Sequence, residues 1–212
     1  QGEYIAPSFY TQVLDHDGNV ILDNTKTKEC HRVVKEETAW LLTDAMKDVM
    51  TAGTGTRAYF GSGMVQAGKS GTTTSNRDAL FAGFTPYYTC VVWGGYDDNS
   101  KQMGGAGTSY PKNLWRSVMK RVHENLESKD FEKPKGITQA TVCSKSGLLP
   151  KDGVCENDPR GSLKYTEYFA SGTTPKEECN HHEVLSICKV SGGIAGPYCP
   201  KEDIQTKVFI VG

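Results

Sequence analysis

Hydrophobic and polar positions define four kinds of segment in the first two thirds of the chain. Phe9 to Leu14 and Val20 to Leu22 flank Asp15-His16-Asp17-Gly18-Asn19. Such a cluster supplies the positive φ that reverses two extended runs and predicts a β-hairpin. From Glu36 to Ala52 the apolar residues Ala39, Leu42, Met46, Val49 and Met50 recur at three- and four-residue steps, and Gly53 follows as a stop. This is the period of an amphipathic helix. Val65 to Thr74, Ala79 to Thr85 and Thr89 to Trp93 are rich in Thr, Val and aromatics and separated by short polar or Pro-containing turns, which predicts three consecutive strands. A second helix is predicted to begin around Pro111, a residue suited to the first turn. It places Leu114, Val118, Val122 and Leu126 on one stripe beside Trp115 and Met119, to cover one face of the sheet.

Near residue 133 the pattern changes. All three Trp residues (Trp40, Trp93 and Trp115), read as packing residues, precede that point; five of the seven Cys follow it, with many Gly, Ser, Pro and Thr and little helical periodicity. FEKPKG at 131–136 marks the boundary, dividing the sequence into 1–133 and a loop-rich appendage over 134–212. The appendage carries a weak internal repeat: Cys143-Ser-Lys-Ser146-Gly147 with Cys155, then Cys188-Lys-Val-Ser191-Gly192 with Cys199. Two copies are too few for a solenoid and fit two small stapled loops.

Composition excludes several classes of function. The length of 212 residues suits one ordinary domain with an appendage, or two small domains. The charges nearly cancel, 24 basic against 25 acidic, so no global field favours nucleic acid or an anionic membrane. No run reaches the roughly 18 apolar residues of a membrane span. The opening QGEYIAPSFY lacks the basic-then-apolar pattern of an export signal. Attachment to a membrane is therefore expected only through an anchor outside this sequence.

Residues 63–70, Gly-Met-Val-Gln-Ala-Gly-Lys-Ser, match the phosphate-loop pattern letter for letter. A phosphate loop needs a buried strand before it and a helix starting at its Lys-Ser. Here a Gly-broken segment precedes it and Ser-Gly-Thr-Thr-Thr-Ser-Asn, a run of poor helix formers, follows. Nucleotide hydrolysis is accordingly a remote alternative. Read instead as an extended strand, Lys69-Ser70-Gly71-Thr72 offers a cation, two hydroxyls and a glycine where a ligand must approach closely. A carboxylate-ended peptide needs such groups.

That strand resembles the K-[ST]-G-T element of the penicillin-recognising serine transpeptidases. The likeness extends over about ninety residues. The Asp17-Gly18 hairpin, Met50-Thr-Ala-Gly53-Thr54-Gly55, the Lys69 strand, Asp78-Ala-Leu-Phe81-Ala-Gly83-Phe84-Thr85-Pro86 and Val92-Trp93-Gly94-Gly95-Tyr96-Asp97 stand in the order of class A (bifunctional) penicillin-binding proteins. The appendage is also similar to theirs, with Tyr168-Phe169, Gly172-Thr-Thr-Pro175 and Cys179. The resemblance implies an α+β fold, an antiparallel sheet flanked by helices and followed by the Cys-containing tail. It further implies acyl transfer in the parent protein: a serine attacks the D-Ala-D-Ala carbonyl of a peptidoglycan stem peptide, and β-lactams acylate the same serine. Lys69 would hold the proton network and substrate charge, while the Ser70 and Thr72 hydroxyls bind the terminal carboxylate. The Thr72 N–H would be an oxyanion donor, Gly71 would leave room for the acyl group, and Thr73 joins the substrate-binding set. No cofactor is implied, and the location is the extracytoplasmic face of the bacterial membrane.

In that family S-x-x-K and then S-x-N precede the Lys strand. Ser-x-x-Lys occurs here at Ser117-Val-Met-Lys120, after the strand, and Ser-x-Asn does not occur. The chain is thus expected to be the C-terminal part of a transpeptidase domain, dependent on an upstream half for its nucleophile. The rival expectation is a non-catalytic fragment that binds peptidoglycan or a partner. Asp78 is read as a turn cap and Arg77 as a solvated charge. Among the cysteines, Cys143/Cys155 and Cys188/Cys199 are expected as disulfides, with Cys30 and Cys90 unpaired. Cys179-Asn-His181-His182 with neighbouring thiols offers a zinc site as the alternative. No C-x-x-C is present, which ranks zinc behind disulfides or free thiols, so no metal is expected.

Overall fold

A computed structural model of the chain describes residues 2–26, 29–105 and 107–211. Two compact units divide it, residues 1–134 and 135–212.

The first unit begins with two small antiparallel ribbons. Strand β1 (Glu3–Ile5) pairs with β4 (Cys30–Arg32), and β2 (Gln12–Leu14) pairs with β3 (Val20–Asp23). The β2–β3 turn forms where the sequence predicts it. The Asp15 carboxylate accepts the backbone N–H groups of Asp17 and Asn19 at 3.0 and 2.8 Å. The β1–β4 ribbon carries no alternating pattern, and all six of its residues are exposed.

Helix α1 spans Glu36–Thr51. Its buried face keeps most of the expected stripe: Met50 is buried and Ala39, Met46 and Val49 are half-buried, while Leu42 is 61% exposed and Trp40, outside the stripe, is buried. Trp40 is the bulkiest side chain of the helix, and Lys47 lies over its ring, the ammonium 5.6 Å from the ring centre. Strands β5 (Ala67–Thr72), β6 (Asp78–Phe84) and β7 (Thr89–Gly95) form an antiparallel sheet in that order. Helix α2 covers Tyr110–Val122 with Pro111 in its first turn. It is rotated from the expected stripe. Pro111, Trp115 and Met119 are buried, whereas Leu114, Val118 and Val122 are 37%, 41% and 45% exposed. The reason is again bulk combined with polarity. Trp115 fills the core and donates its indole N–H to the Cys90 carbonyl at 3.0 Å.

Both helices contribute to one core made of Met50, Ala58, Phe60, Met64, Phe81, Val92, Trp115 and Met119. Gly68 and Gly83 are cross-strand partners and leave the room that this core needs. A Cβ on Gly83 would sit 2.7 Å from the Trp115 ring, and one on Gly68 would sit 2.8 Å from Phe81. At the end of α2, buried His123 donates from Nδ1 to the Met119 carbonyl at 2.7 Å and accepts the Thr85 hydroxyl at Nε2 at 2.8 Å. Thr85 also accepts the N–H groups of Tyr87 and Tyr88, so the β6–β7 turn is tied to the helix terminus.

The second unit is more regular than its composition suggests. β8 (Ile137–Cys143) pairs with β9 (Lys164–Ala170), and β10 (His182–Cys188) pairs with β11 (Ile204–Ile210). Each weakly repeated segment ends the first strand of one of these hairpins. Gly147 and Gly192 have φ of 70° and 73° and donate to Cys143 and Cys188 carbonyls, both at 2.8 Å.

Replacing Gly83 by Ala should force Trp115 to move and lower stability by about 1–3 kcal/mol, as overpacking does. Val118→Ala should stay within about 0.5 kcal/mol. Denaturant unfolding of the two variants checks both values.

Candidate active site

The segment leading into β5 is set by one buried amide. Gln66 accepts the Phe60 N–H at 3.2 Å and donates to the carbonyls of Gly61 and Met64 at 3.2 and 3.3 Å. Between them the chain reverses through Gly61, Ser62 and Gly63, all at positive φ. Strand β5 then runs at the sheet edge, with β6 as its one strand neighbour among the described residues. The phosphate-loop geometry does not occur, because Lys69 and Ser70 lie within this strand and no helix begins there.

Side-chain alternation divides the sheet into two faces. Gly68, Phe81, Gly83 and Val92 lie on the core side. Lys69, its partner Ala82, and Val91 lie on the other. Both helices contribute core residues to the first face. On the second, Lys69 and Ala82 are exposed, and Val91 and Trp93 are 61% and 51% exposed. The Lys69 ammonium donates to the Ser70 carbonyl at 2.9 Å. The Ser70 hydroxyl shares a 2.8 Å hydrogen bond with Thr54, in the turn after α1. Sequence reasoning placed Thr54 within a family phrase but gave it no role; the return of that turn onto β5 is what brings it to Ser70.

Gly71 would meet nothing closer than 3.5 Å if it carried a Cβ, so core packing does not require a glycine there. Thr72 is exposed. The Thr73 hydroxyl accepts the Asp78 N–H at 2.8 Å and donates to the Asp78 carboxylate at 3.2 Å. Asp78 also accepts the Trp93 indole N–H at 3.2 Å. It therefore pins the β5–β6 turn, in which Ser75 and Asn76 hold positive φ of 62° and 52°. Arg77 is exposed.

Ser117 is on α2, on the core side of the sheet and so opposite Lys69, and its hydroxyl donates to the Asn113 carbonyl at 3.0 Å. Ser109-Tyr-Pro-Lys112 and Ser186-Ile-Cys-Lys189 match the same Ser-x-x-Lys spacing, and both follow the Lys69 strand.

In the second unit, as in the first, the structure holds the cysteines as free thiols. Cys143 and Cys155 do converge, but on Cys179 and His182, and the four donor atoms lie within 4.8 Å of one another. Burial pushes the Cys155 thiol up to about 12. Burial also opposes ionisation of Cys179, but hydrogen bonds from Ser146, His182 and the His181 amide hold it at about 6. Cys188 and Cys199 hydrogen-bond each other, and the Ser191 amide is the main cause lowering Cys188 to about 7. His181 is excluded from the cluster and faces Asn180.

Comparison with known proteins places the sheet and its strand in a family. The penicillin-binding protein transpeptidase domain matches residues 1–120, and the C-terminal domain of penicillin-binding protein 1A matches residues 133–184. The chain belongs to the penicillin-binding protein transpeptidase family. It is 40% identical over 178 residues to penicillin-binding protein 1A of Clostridium perfringens, covering 84% of this chain and 21% of that protein. To penicillin-binding protein 1A of Clostridium novyi it is 39% identical over 211 residues, covering 99% of this chain and 24% of that protein. The chain thus spans between a fifth and a quarter of these relatives' length. The crystal structure of penicillin-binding protein 1A from Haemophilus influenzae shares the fold, with a TM-score of 0.67, 22% identity and coverage of 84% of this chain and 31% of that one.

Exchanging Gln66 for Leu keeps the volume but strips three backbone groups, two buried and one part-buried, of their partner. It should destabilise the first unit by about 1–3 kcal/mol, read as a lower denaturation midpoint with an unchanged m-value.

Proposed function

We propose that this chain supplies the substrate-binding strand of a D,D-transpeptidase that cross-links peptidoglycan stem peptides and is acylated by β-lactams. The observation that carries the reading is the Lys69-Ser70-Gly71-Thr72 strand at an open sheet edge, with its ammonium and Thr72 exposed and its Ser70 hydroxyl oriented by Thr54. An edge strand can receive an extended peptide through main-chain hydrogen bonds, and the hydroxyls of Ser70 and Thr72 suit the peptide's terminal carboxylate.

In the reaction, a serine Oγ–C bond forms at the penultimate D-Ala carbonyl carbon and the peptide C–N bond breaks. The proton lost by the serine reaches the departing D-Ala amine. An acceptor amine then attacks the acyl-serine, forming the new amide and returning the serine its proton. With β-lactams, ring opening produces the same acyl bond. Lys69 provides positive charge beside the reacting groups, and the Thr72 N–H stabilises the oxyanion. Thr73 serves the turn with Asp78. The serine and its lysine come from the upstream part of the domain. Exposed Ala82, Val91 and Trp93 suit the packing of further structure against that face. No helix among the described residues is long and apolar enough to cross a membrane. In this reading the parent protein is held by an anchor elsewhere and works outside the cytoplasm, where stem peptides and β-lactams meet.

In the complete protein, Lys69→Ala should slow acylation by a fluorescent penicillin by two orders of magnitude or more, the scale of a lost transition-state electrostatic group, without shifting the melt. Normal acylation by that variant would remove Lys69 from the mechanism. Thr54→Val, which loses one positioning hydrogen bond worth about 0.5–1.5 kcal/mol, should cost roughly two- to tenfold in the same assay. The 212-residue chain by itself should stay unlabelled. Labelling at one of its own serines would refute the assignment of the nucleophile to the upstream part.

A further inference from the structure

The second unit is small, and few apolar side chains hold it together. Ile137, Val142, Val154, Ile187 and Val208 are its buried aliphatic residues. Its other buried cluster is made of Cys143, Cys155 and Cys179, with exposures of 0%, 0% and 1%, around the fully buried His182. Units of this size commonly need a staple.

The geometry of the four donors matches a particular one. His182 Nδ1 lies 3.5 Å from Cys143 Sγ, 3.7 Å from Cys155 Sγ and 3.2 Å from Cys179 Sγ. Tetrahedral zinc, with Zn–S near 2.3 Å and Zn–N near 2.0–2.1 Å, separates bound sulfur and nitrogen by about 3.6 Å. The imidazole is also aimed. Its Nε2 bonds Asp158 Oδ2 at 3.2 Å, and Arg160 grips both oxygens of that carboxylate, at 2.9 and 3.0 Å. A carboxylate behind a histidine fixes its tautomer and turns the other nitrogen toward a metal. The Lys151 N–H points at Cys155 Sγ at 3.3 Å, a contact that favours a thiolate.

A disulfide would use two of the three thiols and leave the third buried against His182 Nδ1. A metal accounts for all four residues and for Asp158 and Arg160 behind them.

We propose that Cys143, Cys155, Cys179 and His182 form a closed Cys3His zinc site that staples the two hairpins of the second unit together. Cys143 ends β8, Cys155 lies in the β8–β9 connection, Cys179 precedes β10 and His182 begins it. Four protein ligands leave no open position for substrate, so the role is structural. The second copy of the repeat keeps two of these donors, Cys188 and Cys199, and has no counterpart of the others. The site stands independently of the transpeptidase reading.

The test uses the complete protein, purified without chelator or reductant. Elemental analysis should find one zinc ion per chain, and thiol titration should find three thiols that become reactive only after chelation. Cobalt(II) added to the chelated protein should give the intense visible bands of a tetrahedral site and a near-ultraviolet thiolate-to-metal band, both abolished by zinc. His182→Ala and Cys179→Ser should lower the zinc content to near zero, while His181→Ala and Cys188→Ser retain it. If a variant fails to fold, the cobalt spectrum of the unaltered protein decides the matter. A weak octahedral cobalt spectrum, a disulfide linking any two of Cys143, Cys155 and Cys179 in zinc-free protein, or full zinc content in both ligand variants would overturn the proposal.

Discussion

Gly68 and Gly83 face each other across β5 and β6, and the space that their missing side chains leave decides how the first unit packs. Trp115 comes down on Gly83, and Phe81 and Met50 close over Gly68. Interiors pack at crystal-like density, so a methyl group would collide with the Trp115 ring of α2 at Gly83 and with the Phe81 ring of β6 at Gly68. The same contact fixes the sidedness of β5. With Gly68 committed to the core, alternation turns Lys69 to the opposite face, and the turn after α1, carried with Met50, brings Thr54 to Ser70. Placement of the chemistry thus follows from where the core needs no side chain.

Much of this was legible in the sequence. Strand order, the β2–β3 turn and both helices appear in the periodicity, and the Lys69 strand could be separated from its phosphate-loop decoy by the poor helix formers that follow it. What periodicity misses is the phase of the second helix and one position, Leu42, of the first. Counting apolar residues favoured Leu42 and Val118, whereas the structure buries Trp40 and Trp115, because one large ring removes more surface from water than several small side chains. The tie between Thr73 and Asp78 was not legible either, because it depends on how the β5–β6 turn closes.

The second unit was the least legible part. Its strands lack clean alternation, with Val142 and Cys143 buried in succession at the end of β8, and Cys179-Asn-His181-His182, visible as a zinc alternative, ranks behind disulfides for want of a C-x-x-C because its tight pair is a cysteine and a histidine. The repeat was visible, but its meaning was not. The duplicated feature is a hairpin whose first strand ends in a cysteine followed by a glycine turn. The extra donors that distinguish the first copy come from residues that lie between the copies in sequence.

Sheet edges are exposed hydrogen-bonding rows, and the two edges of this sheet carry very different residues. β5 presents Gly-Lys-Ser-Gly-Thr, with little β-propensity and a positive charge, whereas β7 presents Cys-Val-Val-Trp, with Val91 and Trp93 largely uncovered. Copies of a chain associate through edges that are apolar, uncharged and rich in β-branched residues. The ligand-binding edge is therefore the self-protected one. Aggregation of isolated chains would be nucleated along β7, on the far side of the sheet from the chemistry.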